Sequence, residues 1–500
     1  MKLVFPAIIT TLCLATTSLQ AELRLAGVIT NHAVLQRDVP IHIWGEDSAA
    51  ARITINFHGQ SIATTASSLG LWEAWLAPEP AGGPFALTVH GSSELTRSDL
   101  LVGDVWFASG QSNMEMPLSG FPPDDHINNA AQEIAQADLP QVRLLRMEHQ
   151  SSASPLGSIS AVWQACTPAT AKDFSAVAYF FARAIHEREH VPIGVIDSSW
   201  GGTPIDSWIS LDALSADASL MPAFAARAGF ADKQLHLELI EEEEKRAKEA
   251  ASAHHLPAPS HPWHPDPSSW IPAGLYNGMV APFTPYSIKG FLWYQGETDS
   301  APDRVNLYAK LLPTLIADWR QQWGQGNLPF LFVQISSFDS PPENWGLIRD
   351  SQRRTLHVAN TGMAVTLDIG QRDNVHPPDK QTVGARLALA GRVVAYGETG
   401  LEWSGPLYRQ TTRQEGALEV WFDHAEGLHS MGNELRGFEV AGADGRFFPA
   451  SAKVQGTSVL VSSAEVKEPV EVRYAWQNYS DANLYNGASL PASTFAAQVP

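Results

Sequence analysis

The chain has 500 residues, 44% of them hydrophobic, and a formal net charge of −20 at pH 7. This length suggests more than one domain and is enough to bury a large core. Because an acidic protein is repelled by polyanions, the charge argues against nucleic acid or an anionic membrane surface as a partner. The 16 Trp and 10 Tyr residues favour a ligand with apolar ring faces, such as a sugar.

The first 21 residues have the pattern of a secretory signal peptide. Lys2 precedes an apolar run from Leu3 to Ala15 that is too short to span a bilayer, and small and polar residues then lead to Ala21. The sequence therefore predicts a signal peptide over 1–21 and a secreted or periplasmic protein without a membrane anchor. Since its removal would leave Cys166 as the sole cysteine, no intramolecular disulfide is expected.

Short runs of alternating apolar and polar residues dominate the next segment. Examples are 53–57 and 85–89, which are bounded by Gly, Pro, Ser and Asp. This pattern predicts a small β-sandwich-like domain over 22–99. The same alternation returns at 418–422 and 470–474 and predicts a second β-rich domain over 401–500.

Residues 100–400 have a different pattern, in which predicted strands alternate with predicted helices. Such a pattern implies an α/β domain with a mostly parallel sheet and helices on both faces. The predicted strands are 105–108, 191–196, 290–294, 330–335 and 363–368, and the predicted helices are 175–189, 304–323, 347–357 and 382–395.

The stretch 215–272 interrupts this alternation and is predicted to be an insertion. It contains a run of charged residues at 238–249, typical of a solvated helix, followed by a loop rich in Pro and His. Because prolines interrupt the histidines and no pair has the helical i, i+4 spacing, no metal site is expected. These histidines are His254, His255, His261 and His264.

Ser112 is the candidate nucleophile. It follows the predicted strand 105–108 and Gly110, which allows a sharp turn at the sheet edge where α/β proteins bind ligands. A serine hydroxyl needs a general base and a group that orients the base. Asp373 and His376 lie three residues apart on a loop after another predicted strand, so the sequence predicts an acyl-transfer site built from these three side chains.

Four sequence blocks resemble, in order, those of one enzyme family. The blocks are Gly-Gln-Ser-Asn-Met at 110–114, Ser-Trp-Gly-Gly-Thr at 199–203, Trp-Tyr-Gln-Gly-Glu-Thr-Asp at 293–299 and Asp-Asn-Val-His at 373–376. They resemble the blocks of sialate O-acetylesterase-like carbohydrate esterases in the SGNH hydrolase superfamily. Segments at 34–37 and 483–492 are similar to the same family. The resemblance implies an SGNH-hydrolase-like (flavodoxin-like) sheet.

The resemblance also assigns roles to residues. Ser112 would attack the acetyl carbonyl, His376 would take the serine proton, and Asp373 would hold the imidazole in the required tautomer. The negatively charged oxygen of the intermediate would be bound by the backbone N–H of Ser112, by the N–H of Gly202 or its neighbour Gly201, and by the side-chain amide of Gln295. The wider superfamily has Asn in place of this Gln.

Three further residues are expected to support the site. Gln111 and Asn113 would fix the turn around the nucleophile, and Glu297 would hydrogen-bond the Ser112 loop. Glu297 and Asp299 could also suggest a glycosidase with paired carboxylates. However, these two residues lie close together on one loop, and only acyl transfer explains the set of Ser, His and Asp.

The sequence thus predicts a carbohydrate O-acetylesterase that acts through an acetyl-enzyme, with no metal or cofactor. Both an acetylated sialic acid, which the family name suggests, and acetylated xylan or xyloglucan remain open as substrates. A non-catalytic glycan-binding protein is disfavoured because the whole set of Ser, His and Asp is present. A lipase is disfavoured because Trp200, Trp208, Trp293 and Tyr294 stand among polar residues, which suits sugar faces better.

Overall fold

The computed structural model describes residues 22–123, 125–225 and 266–499, and five isolated residues between the last two ranges: Glu242, Lys245, Arg246, Glu249 and Ser252. The predicted signal peptide at 1–21 lies outside the described residues, as do most of the predicted charged helix and the histidines His254, His255, His261 and His264. The remaining chain forms a central sheet with β-rich regions before and after it.

The N-terminal region consists of short strands whose buried and exposed residues alternate, as the sequence predicts. β6, for example, buries Trp72, Ala74 and Leu76 and exposes the residues between them. β1, β3 and β6 form one antiparallel sheet, and β4 pairs with β5 and β7. The strands are β1 Arg24–Leu25, β2 Val34–Gln36, β3 Ile41–Glu46, β4 Arg52–Phe57, β5 Gln60–Thr65, β6 Leu71–Leu76 and β7 Gly82–His90.

A 17-residue strand, β8 (Glu94–Gly110), joins this region to the central sheet. Its first half pairs with β7 in antiparallel fashion, whereas its second half is fully buried. The domain boundary predicted at residues 99 and 100 therefore falls inside a continuous strand. The two regions share a sheet at this point.

The central sheet has the strand order β10-β9-β11-β8-β12-β13-β14. Neighbours from β9 to β14 in this order pair in parallel, and β10 is an antiparallel edge strand. The inner strands are buried on both faces, which explains their nearly continuous apolar sequences. The strands introduced here are β9 Leu139–Arg146, β10 Gln164–Cys166, β11 Ile193–Ser199, β12 Gly290–Tyr294, β13 Phe330–Gln334 and β14 Thr361–Val365.

Helices cover the sheet on both faces. Trp106 packs against Phe181 of one helix, whereas the next residue, Phe107, packs against Trp319 of another. Because successive strand residues point to opposite faces, these two helices, α4 and α6, lie on opposite sides of the sheet. The helices are α1 Ser112–Glu115, α2 Ala130–Ala135, α3 Pro168–Ala171, α4 Ala176–Glu189, α5 Leu211–Ala216, α6 Val305–Trp323, α7 Trp345–Thr355 and α8 Lys380–Val394.

Short helical turns complete the central region. Most are 3-10 turns, and one is a π-helical turn at Tyr276–Val280. In the part of the chain that the structure describes, none of the helices has the length and apolar character needed to cross a membrane. The 3-10 turns are Ile205–Trp208, Ala218–Leu220, Pro267–Trp270, Ala281–Phe283, Thr298–Ser300 and Leu367–Ile369.

The C-terminal region is β-rich, as predicted. It contains two antiparallel four-stranded sheets, β15-β16-β21-β20 and β19-β18-β22-β24, and the pair β17-β23. Arg349 of α7 is fully buried and donates hydrogen bonds to the carbonyls of Ala475 and Asn478, which fastens this region to the central sheet. The strands are β15 Leu407–Gln414, β16 Ala417–Asp423, β17 His429–Ser430, β18 Phe438–Ala441, β19 Phe447–Pro449, β20 Ser451–Gln455, β21 Ser458–Ser462, β22 Glu471–Tyr474, β23 Leu484–Tyr485 and β24 Phe495–Gln498.

Candidate active site

A tight turn at the end of β8 places Ser112 at the carboxyl edge of the sheet. Gly110 has φ +142°, and a Cβ atom there would lie 2.1 Å from the carbonyl oxygen of Tyr294, so only glycine fits. The next residue, Gln111, donates its N–H to the same carbonyl at 3.0 Å. α1 then begins at Ser112, beside the neighbouring strand β12.

Ser112 and His376 lie within hydrogen-bonding distance. His376 Nε2 is 2.9 Å from Ser112 Oγ, and His376 Nδ1 is 2.7 Å from Oδ2 of Asp125. Because an ionised carboxylate only accepts hydrogen bonds, Nδ1 carries a proton and Nε2 of the neutral ring is free to accept the serine proton. This is the geometry of a nucleophile, a general base and a carboxylate that orients the base.

The carboxylate in contact with His376 Nδ1 is that of Asp125, and the prediction of Asp373 for this contact is wrong. Asp373 is exposed and makes no hydrogen bond or ion pair with any residue that the structure describes. The loop instead turns Asn374 inward, where its side chain donates to Asp125 at 2.7 Å and accepts from the His376 N–H at 2.8 Å. Asp125 belongs to no motif; an acidic residue on the loop after the nucleophile helix was the only signal for it.

The surroundings of His376 favour the neutral imidazole. Burial lowers the pKa of His376 below its ordinary value of 6.5, and the positive charge of Lys380 acts in the same direction. The hydrogen bond and the charge of Asp125 act in the opposite direction but do not reverse the shift. A general base must be unprotonated, so this shift suits the role.

The two candidate glycines of the oxyanion site differ in whether their N–H group already has an acceptor. The N–H of Gly201 donates to Glu115 Oε2 at 2.6 Å and is therefore occupied. Gly202 (φ +72°) and Ser112 both line the cleft, and their N–H groups have no acceptor among the described residues. Gly202 is thus the better candidate of the two.

Gln295 does not face the cleft, so the prediction that it binds the oxyanion is wrong. Its side chain is fully buried, and its amide nitrogen donates to Thr203 O at 3.2 Å and to Asp299 Oδ2 at 2.5 Å. Both amide hydrogens are therefore used inside the protein. Gln295 supports the turn that carries Gly202.

Gln111 and Asn113 connect the turn that carries Ser112 to its neighbours. Gln111 Oε1 accepts from the N–H groups of Gly296 and Thr298, each at 3.3 Å. Asn113 donates to Val375 O at 3.0 Å, directly before His376. These hydrogen bonds fix the turn that carries Ser112 relative to the loop that carries His376.

A buried pair of ionisable groups flanks Asn113. Its amide nitrogen donates to Glu297 Oε1 at 2.6 Å, and its amide oxygen accepts from Lys380 Nζ. Burial raises the pKa of Glu297 to about 7 and lowers that of Lys380 to about 7. Sequence reasoning missed Lys380, because nothing in the helical pattern of α8 marks it as buried.

The cleft in front of Ser112 has a volume of about 670 Å³ and an aromatic wall. Trp200 stacks on His149 with ring centres 4.3 Å apart and planes 2° from parallel. Trp208, Trp293 and Tyr294, which were expected to stand with Trp200 among polar residues and to suit sugar faces, are instead fully buried in the core. The other aromatic residues that line the cleft are Phe121, Phe338 and Trp345.

Comparisons with known proteins agree with this chemistry. The family model described as "Carbohydrate esterase, sialic acid-specific acetylesterase" matches residues 262–392. The crystal structure of a carbohydrate acetylesterase from Xanthomonas citri is similar with a TM-score of 0.82 and 36% identity, over 95% of this chain and 100% of that one. The class of this protein is therefore that of the carbohydrate esterases.

Two mammalian proteins narrow the assignment. The sialate O-acetylesterases of Rattus norvegicus and Homo sapiens are 31% and 29% identical to the chain, over 95% of its length and 94% and 92% of theirs. The chain belongs to the sialate O-acetylesterase family and is a carboxylic-ester hydrolase. The family resemblance seen in the sequence blocks is confirmed.

Proposed function

We propose that this protein releases acetate from O-acetylated sugars, with Ser112 as nucleophile, His376 as general base and Asp125 as the carboxylate that orients the base. The observation that carries the proposal is the chain of contacts from Ser112 Oγ to His376 and on to Asp125, at 2.9 and 2.7 Å. These contacts lie in a cleft at the carboxyl edge of the central sheet. Membership of a carbohydrate esterase family supports the same chemistry.

In the first half-reaction, Ser112 Oγ forms a bond to the acetyl carbonyl carbon while its proton moves to His376 Nε2. The carbonyl oxygen becomes negatively charged and is stabilised by the N–H groups of Ser112 and Gly202. One such donor contributes about 3 kcal/mol to the lowering of the barrier. The bond to the sugar oxygen then breaks, and His376 returns the proton to that oxygen.

In the second half-reaction, water attacks the acetyl group on Ser112. His376 takes a proton from the water, the oxyanion forms again in the same place, and the bond to Ser112 Oγ breaks. Acetate leaves, and the proton returns to the serine. Asp125 stays ionised throughout and holds the imidazolium that forms in each half-reaction.

The parallel pairing around β8 supports assignment of the central sheet to the SGNH hydrolase type. Export of the protein is also part of the proposal and depends only on the signal-like residues 1–21. The mass of the mature protein, recovered after expression of the full chain in a bacterium, tests it. Cleavage after Ala21 is expected, and a protein that keeps its first 21 residues in the cytoplasm would contradict export.

The test of the activity is acetate release from a panel of acetylated sialic acids, xylo-oligosaccharides and xyloglucan fragments. Ser112→Ala is expected to lower kcat at least about 10³-fold without loss of folding, because the nucleophile is removed. The thermal unfolding temperature serves as the folding control. Wild-type turnover by Ser112→Ala would contradict the mechanism.

A further inference from the structure

The wall of the cleft is rich in carboxylates. None of the described residues that line it is a lysine or an arginine. Five acidic side chains line it instead, and these are Glu115, Asp125, Asp266, Glu297 and Glu343. The charge of the cleft therefore depends on how far each carboxylate is neutralised by its partners.

Two of these carboxylates are engaged by groups that belong to the site. Asp125 is paired with His376, and Glu297 accepts from Asn113, which in turn binds the ammonium group of Lys380. Both are therefore tied to the machinery around Ser112. The remaining acids of the lining are Glu115, Asp266 and Glu343.

Glu343 and Asp266 both lack a cationic partner among the described residues, and Glu343 is the less exposed of the two. The carboxylate of Glu343 accepts from Trp345 Nε1 at 2.7 Å and forms no ion pair with any residue in the described ranges. Arg372, on the adjoining surface, is paired with Asp339 at 2.8 Å. Glu343 lines both this cleft and the adjoining pocket that Arg372 lines, and no described cation within the cleft offsets its charge.

Among the described residues, two cations near the site are engaged by protein groups. Lys380 is fully buried and donates to Asn113 behind the nucleophile. Arg146 lies outside the lining and is 3.9 Å from Glu115, which also binds His149 at 2.8 Å. A carboxylate on the substrate would thus meet Glu343 without a described cation to bind it.

The remaining surface suits an uncharged sugar ring. The parallel pair of Trp200 and His149 offers a flat aromatic surface, and Phe121 and Trp345 add apolar area around Ser112. Such surfaces pack against the apolar faces of rings and require no charge on the ligand.

We propose that this cleft selects uncharged O-acetylated saccharides and disfavours O-acetylated sialic acids, because Glu343 repels the sialate carboxylate. This inference rests on the proposed function and names its substrate class. It distinguishes the protein from relatives that carry the name sialate O-acetylesterase.

The test compares an O-acetylated N-acetylneuraminic acid with the methyl ester of the same compound, in which a methyl group removes the charge of the carboxylate. Acetate release from the methyl ester is expected to have a kcat/KM at least about tenfold higher, as is release from an acetylated neutral xylo-oligosaccharide. The difference between the two sialic acid compounds should narrow as salt is added, because salt screens the repulsion. A free sialate hydrolysed as fast as its methyl ester, or faster, would overturn the proposal.

Glu343→Gln tests the residue itself. Glutamine keeps an oxygen that accepts from Trp345 Nε1 but removes the charge, so the ratio of kcat/KM for the free sialate to kcat/KM for the methyl ester should rise at least about threefold. Glu415→Gln removes the same charge from the exposed turn between β15 and β16 and should leave this ratio unchanged. Equal effects of the two substitutions, or none from Glu343→Gln, would count against the role of Glu343.

The experiments distinguish an error in the inferred substrate class from an error in the proposed function. If Ser112→Ala keeps its activity, or no acetylated sugar releases acetate, the proposed function is wrong. If acetate is released and depends on Ser112, but the free sialate is the better substrate, only the inference about charge is wrong.

Discussion

Asp125 and Asp373 are the two candidate partners of His376, and only Asp125 contacts the Nδ1 atom of the ring. Asp125 is 2.7 Å from this nitrogen, whereas Asp373 is exposed to solvent. Asp125→Asn is expected to lower kcat/KM at least about 10²-fold, because the amide no longer stabilises the required tautomer or the imidazolium. Asp373→Asn is the matched control and should stay within about twofold of wild type. Hydrolysis of para-nitrophenyl acetate measures kcat/KM for both variants. A larger loss in Asp373→Asn than in Asp125→Asn would show that Asp373 orients His376.

Lys380 is expected to set the acidic limb of the pH profile. Only neutral His376 acts as a base, so kcat/KM should fall as pH drops through its pKa, which burial and Lys380 hold below the ordinary 6.5. Asp125 and Glu115 act on His376 in the opposite sense. Lys380→Met removes the lowering effect of the cation, so the limb should move to higher pH. The pH dependence of kcat/KM for both proteins measures the shift.

The control for this prediction is Lys172→Met, which removes a half-exposed lysine charge and should leave the limb in place. The thermal unfolding temperature shows whether Lys380→Met is folded. A folded Lys380→Met protein whose acidic limb stays at the wild-type pH, or moves to lower pH, would contradict this role of Lys380.

The residues of the site that the sequence could predict are those tied to strand ends. Ser112 follows a central strand and His376 closes a downstream block, so general rules of α/β proteins were enough to bring them together. Asp125 and Gln295 depend on the path of a loop and on a choice of hydrogen-bond partner. Neither leaves a pattern in the sequence, because several orientations satisfy the same residue types.

At the scale of elements, Glu115 links the nucleophile helix α1 to the turn after β11. Its carboxylate accepts from the Gly201 N–H at 2.6 Å, and this contact fixes the neighbouring Gly202. Glu115→Ala is therefore expected to lower kcat about tenfold or more, with a smaller effect on KM, because an oxyanion donor loses its position.

Glu115→Gln keeps an oxygen that accepts from the Gly201 N–H. The decrease in ln kcat, which measures the lost transition-state stabilisation, should therefore be less than half of that in Glu115→Ala. This comparison separates the contact with Gly201 from the charge of the side chain. A decrease confined to KM, or equal losses in the two variants, would show that Glu115 does not act through the turn.

The lengths of several elements follow from apolar periodicity alone. The predicted strand 290–294 and the predicted helices 175–189 and 304–323 lie within one residue of β12, α4 and α6 at each end. β8 is different, because it continues from the N-terminal sheet into the central one. The predicted domain boundary lies where the composition of the sequence changes, but the hydrogen-bonded strand β8 continues through it.

At the scale of the whole molecule, Arg349 joins α7 to the C-terminal β-rich region. It is fully buried, and burial lowers its pKa to about 9. Arg349→Met is expected to lower the free energy of unfolding by about 3 kcal/mol, because buried carbonyls lose their donors. Arg354→Met, on the exposed side of the same helix, should change it by less than about 1 kcal/mol. Urea unfolding followed by tryptophan fluorescence gives both values, and equal destabilisation would contradict the fastening role.

The arrangement of the whole chain places the carboxyl edge of the sheet, the Asp125 loop and the start of α7 around one cleft. The most direct test of the catalytic account is mass spectrometry after rapid acid quenching of the enzyme during turnover of para-nitrophenyl acetate. We predict an acetyl group on the peptide that contains Ser112, and none on any peptide of Ser112→Ala. An acetyl group on another residue, or full turnover by Ser112→Ala, would contradict the account.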